Sequence, residues 1–336
     1  MARIAAILRA LAVAFRRDWS SLVASGANNF LLFGMLFLQS AGLFLYLIAV
    51  LVLLLPASSD PLRTIPPVRL ALWPLAPRER RLLRLLSPWL NPLTWLLAAV
   101  FVWALRGRVT FGLLALIAGL FAAGFLLSDL PVDPGRAIWR SIPSIPGPLG
   151  SLIRKNLREI LCTLDFYCAL LVSMAGLVWR ISAHQVPPQA PIVIAIYVVL
   201  ALSSHAQGLF GLDGESGFVR YRLLPLRGWQ ILAAKDSAFL LVSLLLTLPS
   251  APFAGIGAAC LALAVGHGPS VKSRHSQLRW RFSPGSSFGT GLTQVVALTL
   301  AAAATAVGGA WVILPALALC AASAFWYGRG IESASW

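Results

Sequence analysis

The sequence predicts an all-α integral membrane protein: a polytopic helical bundle of about 8–10 spans or half-spans, with amphipathic elbow helices and a candidate internal duplication. Three observations lead there. Of 336 residues, 59% are hydrophobic and 11% charged, too few polar side chains to cover a soluble globule of this size. Several apolar runs approach or exceed the ~18–20 residues that a helix needs to cross hydrocarbon. None shows the ~10-residue alternation of barrel strands.

The net charge of +16 comes from 27 Lys and Arg against 11 Asp and Glu. The basic residues cluster beside apolar runs, as the positive-inside rule produces, so no nucleic-acid partner is expected. Cys162, Cys168, Cys260 and Cys320 lie in apolar segments without metal-ligand spacing and read as reduced, buried hydrophobes. Arg9, Arg16, Arg17 and Asp18 interrupt the amino terminus, which is therefore not expected to be a cleaved leader.

In chain order, residues 3–25 place Ile4, Ile7, Leu8, Leu11, Phe15, Trp19 and Leu22 at helical spacing and predict an amphipathic helix lying on the inner leaflet. Residues 30–55 are almost uncharged and can cross once, although Gln39, Ser40 and Gly42 leave a broken path open. Residues 56–92 carry Arg63, Arg69, Arg78, Arg80, Arg81 and Arg84 against Asp60 and Glu79. That bias places them in the cytoplasm, even though one crossing from an inside amino terminus would put them outside. Residues 93–105 and 109–127 form an apolar hairpin, and five prolines between 129 and 150 mark a linker. The chain thus divides into a first membrane half, 1–150, and a second, 151–336.

The second half opens with an elbow helix at 151–160 (SLIRKNLREI), apolar on one face and basic on the other. Spans are expected at 161–179 and 191–202. A cytoplasmic loop follows at 204–235, then a hairpin at 237–266 turning at 249–252, a second basic loop, and a last hairpin at 293–307 and 310–326. Pro74-Leu75 precedes Arg84 at the interval at which Pro225-Leu226 precedes Lys235, each between a basic amphipathic helix and an apolar hairpin. This suggests a repeat.

No phosphate-cradling GxxxxGK[ST] occurs, nor HExxH, GxSxG or CxxC, so the chain by itself is expected to be neither an ATPase nor another enzyme, and to hold no cofactor. Asp129 and Asp133 are four apart at a membrane edge, but Pro131 and Pro134 break the helix that would align them. Asp213 and Glu215, among Gly211, Gly214 and Gly217, read as a turn with an acidic surface rather than a metal pair. His184, His205, His267 and His275 lack Cys or carboxylate partners at ligand spacing. Asp165 is the one acidic residue inside an expected span, and a structural pairing with Arg154 or Arg158 is expected for it.

The stretch LFGLDGESGFVRYRLLPLRGWQILAAK resembles a loop of bacterial ABC transporter permeases of the type-2 exporter group, F-G-x-D-G-x-G followed by L-x-P and an apolar stretch closed by lysine. Phe210, Gly211, Asp213, Gly214, Gly217, Leu224, Pro225, Ile231, Leu232 and Lys235 match; Ala234-Lys235-Asp236 stands where the family often has Gly-Lys-Asn. Residues 152–160 resemble the family's elbow helix. The motif Gly266-His267-Gly268-Pro269-Ser270 is similar to its Gly-Asn-x-x-Ser with histidine for asparagine. The resemblance implies an exporter permease in a bacterial inner membrane, paired as a homodimer or heterodimer. A separate ATP-binding subunit, carrying ATP and Mg, would dock on its cytoplasmic loops. Phe210, Gly211, Asp213, Gly214, Glu215, Gly217, Leu224, Pro225 and Lys235 would form the docking loop, and Pro74, Leu75, Arg78 and Arg84 a second surface. Two other readings stand beside it: a metal-dependent membrane enzyme acting on lipid through Asp129, Asp133 or Asp213, and a non-transporting membrane scaffold.

Overall fold

The computed structural model describes residues 2–17, 70–90, 111–129, 142–182, 187–213, 220–272 and 282–333, apart from positions 71, 74, 222 and 284. Among them every regular element is helical. The chain forms two compact units, Met1–Leu22 with Phe37–Val132, and Val23–Leu36 with Asp133–Trp336. The expected segments at 30–55, 56–69 and 93–105 lie outside the described residues.

In the first unit, α1 (Ala2–Arg17), α2 (Pro77–Leu86) and the apolar α3 (Phe111–Asp129) are described, with a 3₁₀ turn at Ser87–Leu90. Buried Leu83 on α2 packs against Ile7, Leu8 and Leu11 of α1 and against Leu70, Trp73 and Leu75. The predicted amphipathic stripe of α1 thus packs on Leu83 of α2.

The second unit begins with α4 (Gly150–Ile160), at the expected elbow, followed by α5 (Leu164–Ser182), α6 (Ala190–Gln207), α7 (Gly228–Thr247), α8 (Pro252–Lys272), α9 (Phe288–Gly308) and α10 (Ile313–Ser333). Among the described residues of this unit, five helical runs are long and apolar enough to cross a membrane, and the last, Gly289–Glu332, takes in nearly all of α9 and α10. The protein is a helical membrane protein. At ~1.5 Å per residue, α7 alone reaches about 30 Å, a full hydrocarbon thickness.

α8 is the hub, packing on α6, α7, α9 and α10. It returns antiparallel to α7 through the Leu248–Ala251 turn, as expected from the prolines there: Gly255 lies on Thr247, and His267 on Asp236. α10 runs alongside α8 in the same direction, since Ala264 meets Ser323 and Gly268 meets Tyr327. The expected last hairpin therefore has both arms on α8. Two glycines make close approach there: a Cβ on Gly266 would lie 2.3 Å from the Ala206 carbonyl oxygen, and one on Gly228 2.1 Å from that of Gly328. Gln294, fully buried on α9, accepts from Gln207 and donates to the Ala262 and Ser203 carbonyls, so one amide ties α6, α8 and α9.

The loop expected at 204–235 is shorter. α6 continues to Gln207 and α7 begins at Gly228, so Lys235 is a helix residue. Ser203, Ser204, His205 and Gln207 are buried; Gln207 bonds Gln294 of α9, and the Ser203 hydroxyl bonds the Leu200 carbonyl of its own helix.

Candidate functional site

α4, the 3₁₀ turn Gly211–Asp213 and the second turn of α7 meet around one ammonium group. Lys235 is 2% exposed, and its Nζ donates to Asp213 Oδ2 at 2.7 Å, to the Leu209 carbonyl at 2.7 Å and to Asn156 Oδ1 at 3.1 Å. All three of its protons are used. Glu159 Oε2 lies 3.7 Å away. Lys155, one helical turn before Glu159, pairs with it at 3.2 Å and also bonds Asp213 and the Tyr221 hydroxyl. Tyr221 in turn donates to Asp213 at 3.0 Å. The Phe210 ring lies below Lys235, its centroid 4.7 Å from Nζ, and meets Tyr221 edge-on.

Two lysines and two carboxylates balance, which is how charge tolerates burial. Burial opposes the charge on Asp213, but Lys235 and Lys155 outweigh it and hold the carboxyl below its ordinary value. Burial likewise works against Lys155, and Glu159 and Asp213 overcome it and raise the ammonium pKa. Glu159 goes the other way: desolvation raises it, with Asp213 adding repulsion. Tyr221 is pushed up, first by burial and then by both carboxylates.

The arrangement is a joint that ties α4, the 211–213 turn and α7 together. Both Asp213 oxygens are occupied by cations or hydroxyl, and the side chain is 1% exposed, so it is not the acidic surface tip read from the glycine-rich turn. Gly214, Glu215 and Gly217 lie outside the described residues. Phe210 and Lys235 are buried, while Leu224 and Pro225 are exposed beside Leu223, which is 80% exposed. Asn156, Lys155, Glu159 and Tyr221 were not anticipated as partners; the i,i+4 spacing of Lys155 and Glu159 was the available signal.

The first unit carries the same backbone joint. Trp73 N–H bonds the Leu70 carbonyl and Leu224 N–H the Tyr221 carbonyl; Ala76 N–H bonds Glu79, and Arg227 N–H bonds Gln230. Helices then start at Pro77 and Gly228, after residues with φ/ψ of −64°/153° and −73°/149°. The same 151-residue offset relates Leu72 to Leu223, which are 78% and 80% exposed. The offset sets Arg84 against Lys235, as in the sequence repeat, but Arg84 is exposed, and the apolar Leu83 cluster does in this unit what the ion pairs do in the other. Leu75 is half-buried in that cluster, Arg78 is exposed, and Pro74 lies outside the described residues.

Asp165 takes a different partner from the expected arginines. It accepts from the Ser283 N–H at 2.8 Å and from the Ser283 hydroxyl, capping the chain just before α9. Asp129 ends α3, and Asp133 lies outside the described residues. His267, which has no partner at ligand spacing in the sequence, is fully buried and bonds Asp236 at 2.9 Å and Ser323 at 3.0 Å. No sequence spacing joins residues 31 and 56 positions apart.

Comparison with protein-family models, with curated proteins and with solved structures returned no match.

Proposed function

We propose that the chain is the membrane-spanning permease subunit of an ATP-driven exporter of the ABC type-2 group, in a bacterial inner membrane. A separate subunit binds ATP and Mg and docks on the cytoplasmic loops, and two permease subunits pair. The observation that carries this reading is the Lys235–Asp213 joint, placed directly behind an exposed Leu223-Leu224-Pro225 edge. A push on that edge passes to α4 and α7 as one piece, because the joint leaves no slack between them. Arg154, Lys155, Arg158, Arg220 and Arg227 gather at this end of the bundle, which the positive-inside rule assigns to the cytoplasm. The matching edge at Leu72 and Arg78 is the second docking surface.

Affinity purification from native membranes in mild detergent is expected to recover a P-loop ATPase. Leu72→Asp with Leu223→Asp, both at exposed positions, should reduce that recovery at least tenfold while leaving the purified protein's thermal transition unchanged. Recovery of no ATPase with the unaltered chain, or equal recovery with both substitutions, sinks the reading.

A further inference from the structure

Behind the joint, three helices bring together the donor set of a metal ion. Asp236 on α7, His267 on α8 and Cys320 on α10 are all buried, and their ligand atoms lie within 4.8 Å of one another. Cys260 on α8 lies beside Cys320. One of the chain's four cysteines and one of its four histidines thus meet a carboxylate in one interior spot.

The hydrogen bonds around His267 indicate what that spot holds. Ser323 Oγ gives its single proton to the Ala264 carbonyl at 2.9 Å. Against Nδ1, at 3.0 Å, it can therefore only accept, which fixes the proton on Nδ1. A neutral imidazole then presents a bare lone pair at Nε2. Facing it at 2.9 Å is Asp236 Oδ1, a second acceptor. Two acceptors at that distance need a positive species between them, either a proton or a metal cation. The Nδ1–H bond to a polar neighbour is also the support that metal-ligating histidines ordinarily have.

We propose that Asp236, His267 and Cys320 bind one divalent cation of the zinc class, clamping α7, α8 and α10 together, with Cys260 beside Cys320. Nitrogen, carboxylate and thiolate are the ligand types that zinc accepts. Bond lengths of ~2.0–2.3 Å to such ligands set donors ~3.3–3.7 Å apart, so side-chain movements of about 1 Å close the set. Binding balances in charge. One dication enters, and two protons leave to solvent, one from the Cys320 thiol and one from between Nε2 and Asp236. The site stays neutral overall, as its burial requires. The clamp is independent of the permease reading.

Cobalt titration of the chelator-treated, purified protein in detergent tests this. A thiolate-to-cobalt charge-transfer band with intense tetrahedral d–d bands should saturate at one cobalt per chain and vanish on adding zinc. Asp236→Asn keeps a hydrogen-bond donor facing Nε2 and removes a ligand, so it should retain the metal-free melting transition while weakening cobalt binding at least tenfold. Cys320→Ser should lose the charge-transfer band. A wild-type protein without that band, or bands undiminished in both variants, means that a proton alone fills the gap and overturns the proposal.

Discussion

Lys235→Met is expected to destabilise the second unit by roughly 3–5 kcal/mol, the cost of leaving the Asp213 and Glu159 carboxylates with one lysine between them. The methionine fills the space, but the Leu209 carbonyl and Asn156 lose this donor, and Asp213 keeps only Lys155 and Tyr221. Thermal unfolding in detergent measures it. Adding Asp213→Asn should recover part of the loss, because the uncompensated charge is gone. If the double variant is no more stable than Lys235→Met alone, the ion pair is not what holds the joint. The pH dependence follows from the direction of the Asp213 shift: its carboxyl titrates lower in the folded protein than in the unfolded chain. Its contribution is therefore in place above the unfolded value of ~3.9 and is lost as pH falls through the folded one. Replacing Asp213 with Asn should flatten stability in that acidic window.

Gly266→Leu should cost about 3 kcal/mol or more, because a side chain there meets backbone rather than a movable side chain. Its Cβ would stand 2.3 Å from the Ala206 carbonyl oxygen and 3.2 Å from Gln207 N, where α6 and α8 cross. Gly257, on the same helix with open space at its Cβ, is the control. A leucine at 257 is expected to cost far less in the same melting measurement. Equal losses at the two positions would show that helix propensity, not the crossing, makes glycine necessary at 266.

How much of this was legible depends on the kind of signal. Hydrophobic run length and basic clusters report on the bilayer, an environment shared by every residue of a span. They therefore placed the elbow at 151–160 and the turn at 249–252 close to where α4 ends and α7 gives way to α8. Polarity alone misjudged 204–207, since a buried Gln that bonds a neighbouring helix looks in sequence like the start of a loop. The joint was half legible. Lys235 and Asp213 came with the motif, but that they face each other depends on α4 laying Asn156 and Glu159 beside them. The Asp236–His267 pair was not legible, because the contact arises from an antiparallel return whose register no spacing rule supplies. The repeat gained most. A proline, a leucine and a cation at a common interval are weak evidence in leucine-rich sequence, whereas matched caps, matched turn bonds and two exposed leucines at one offset tie it to backbone geometry.

In the proposed permease, the Leu223 edge is where the ATP-binding subunit presses. Cross-linking tests it most directly: Leu223→Cys, in a chain with its four native cysteines replaced by serine or alanine, is treated with a short thiol-to-amine reagent in inside-out membrane vesicles. A single heterologous adduct to a nucleotide-binding protein is expected, absent when the cysteine is placed instead at the exposed Leu319 of α10. Reaction of Leu223→Cys only from the opposite face of the membrane, or the same adducts from both positions, would contradict it.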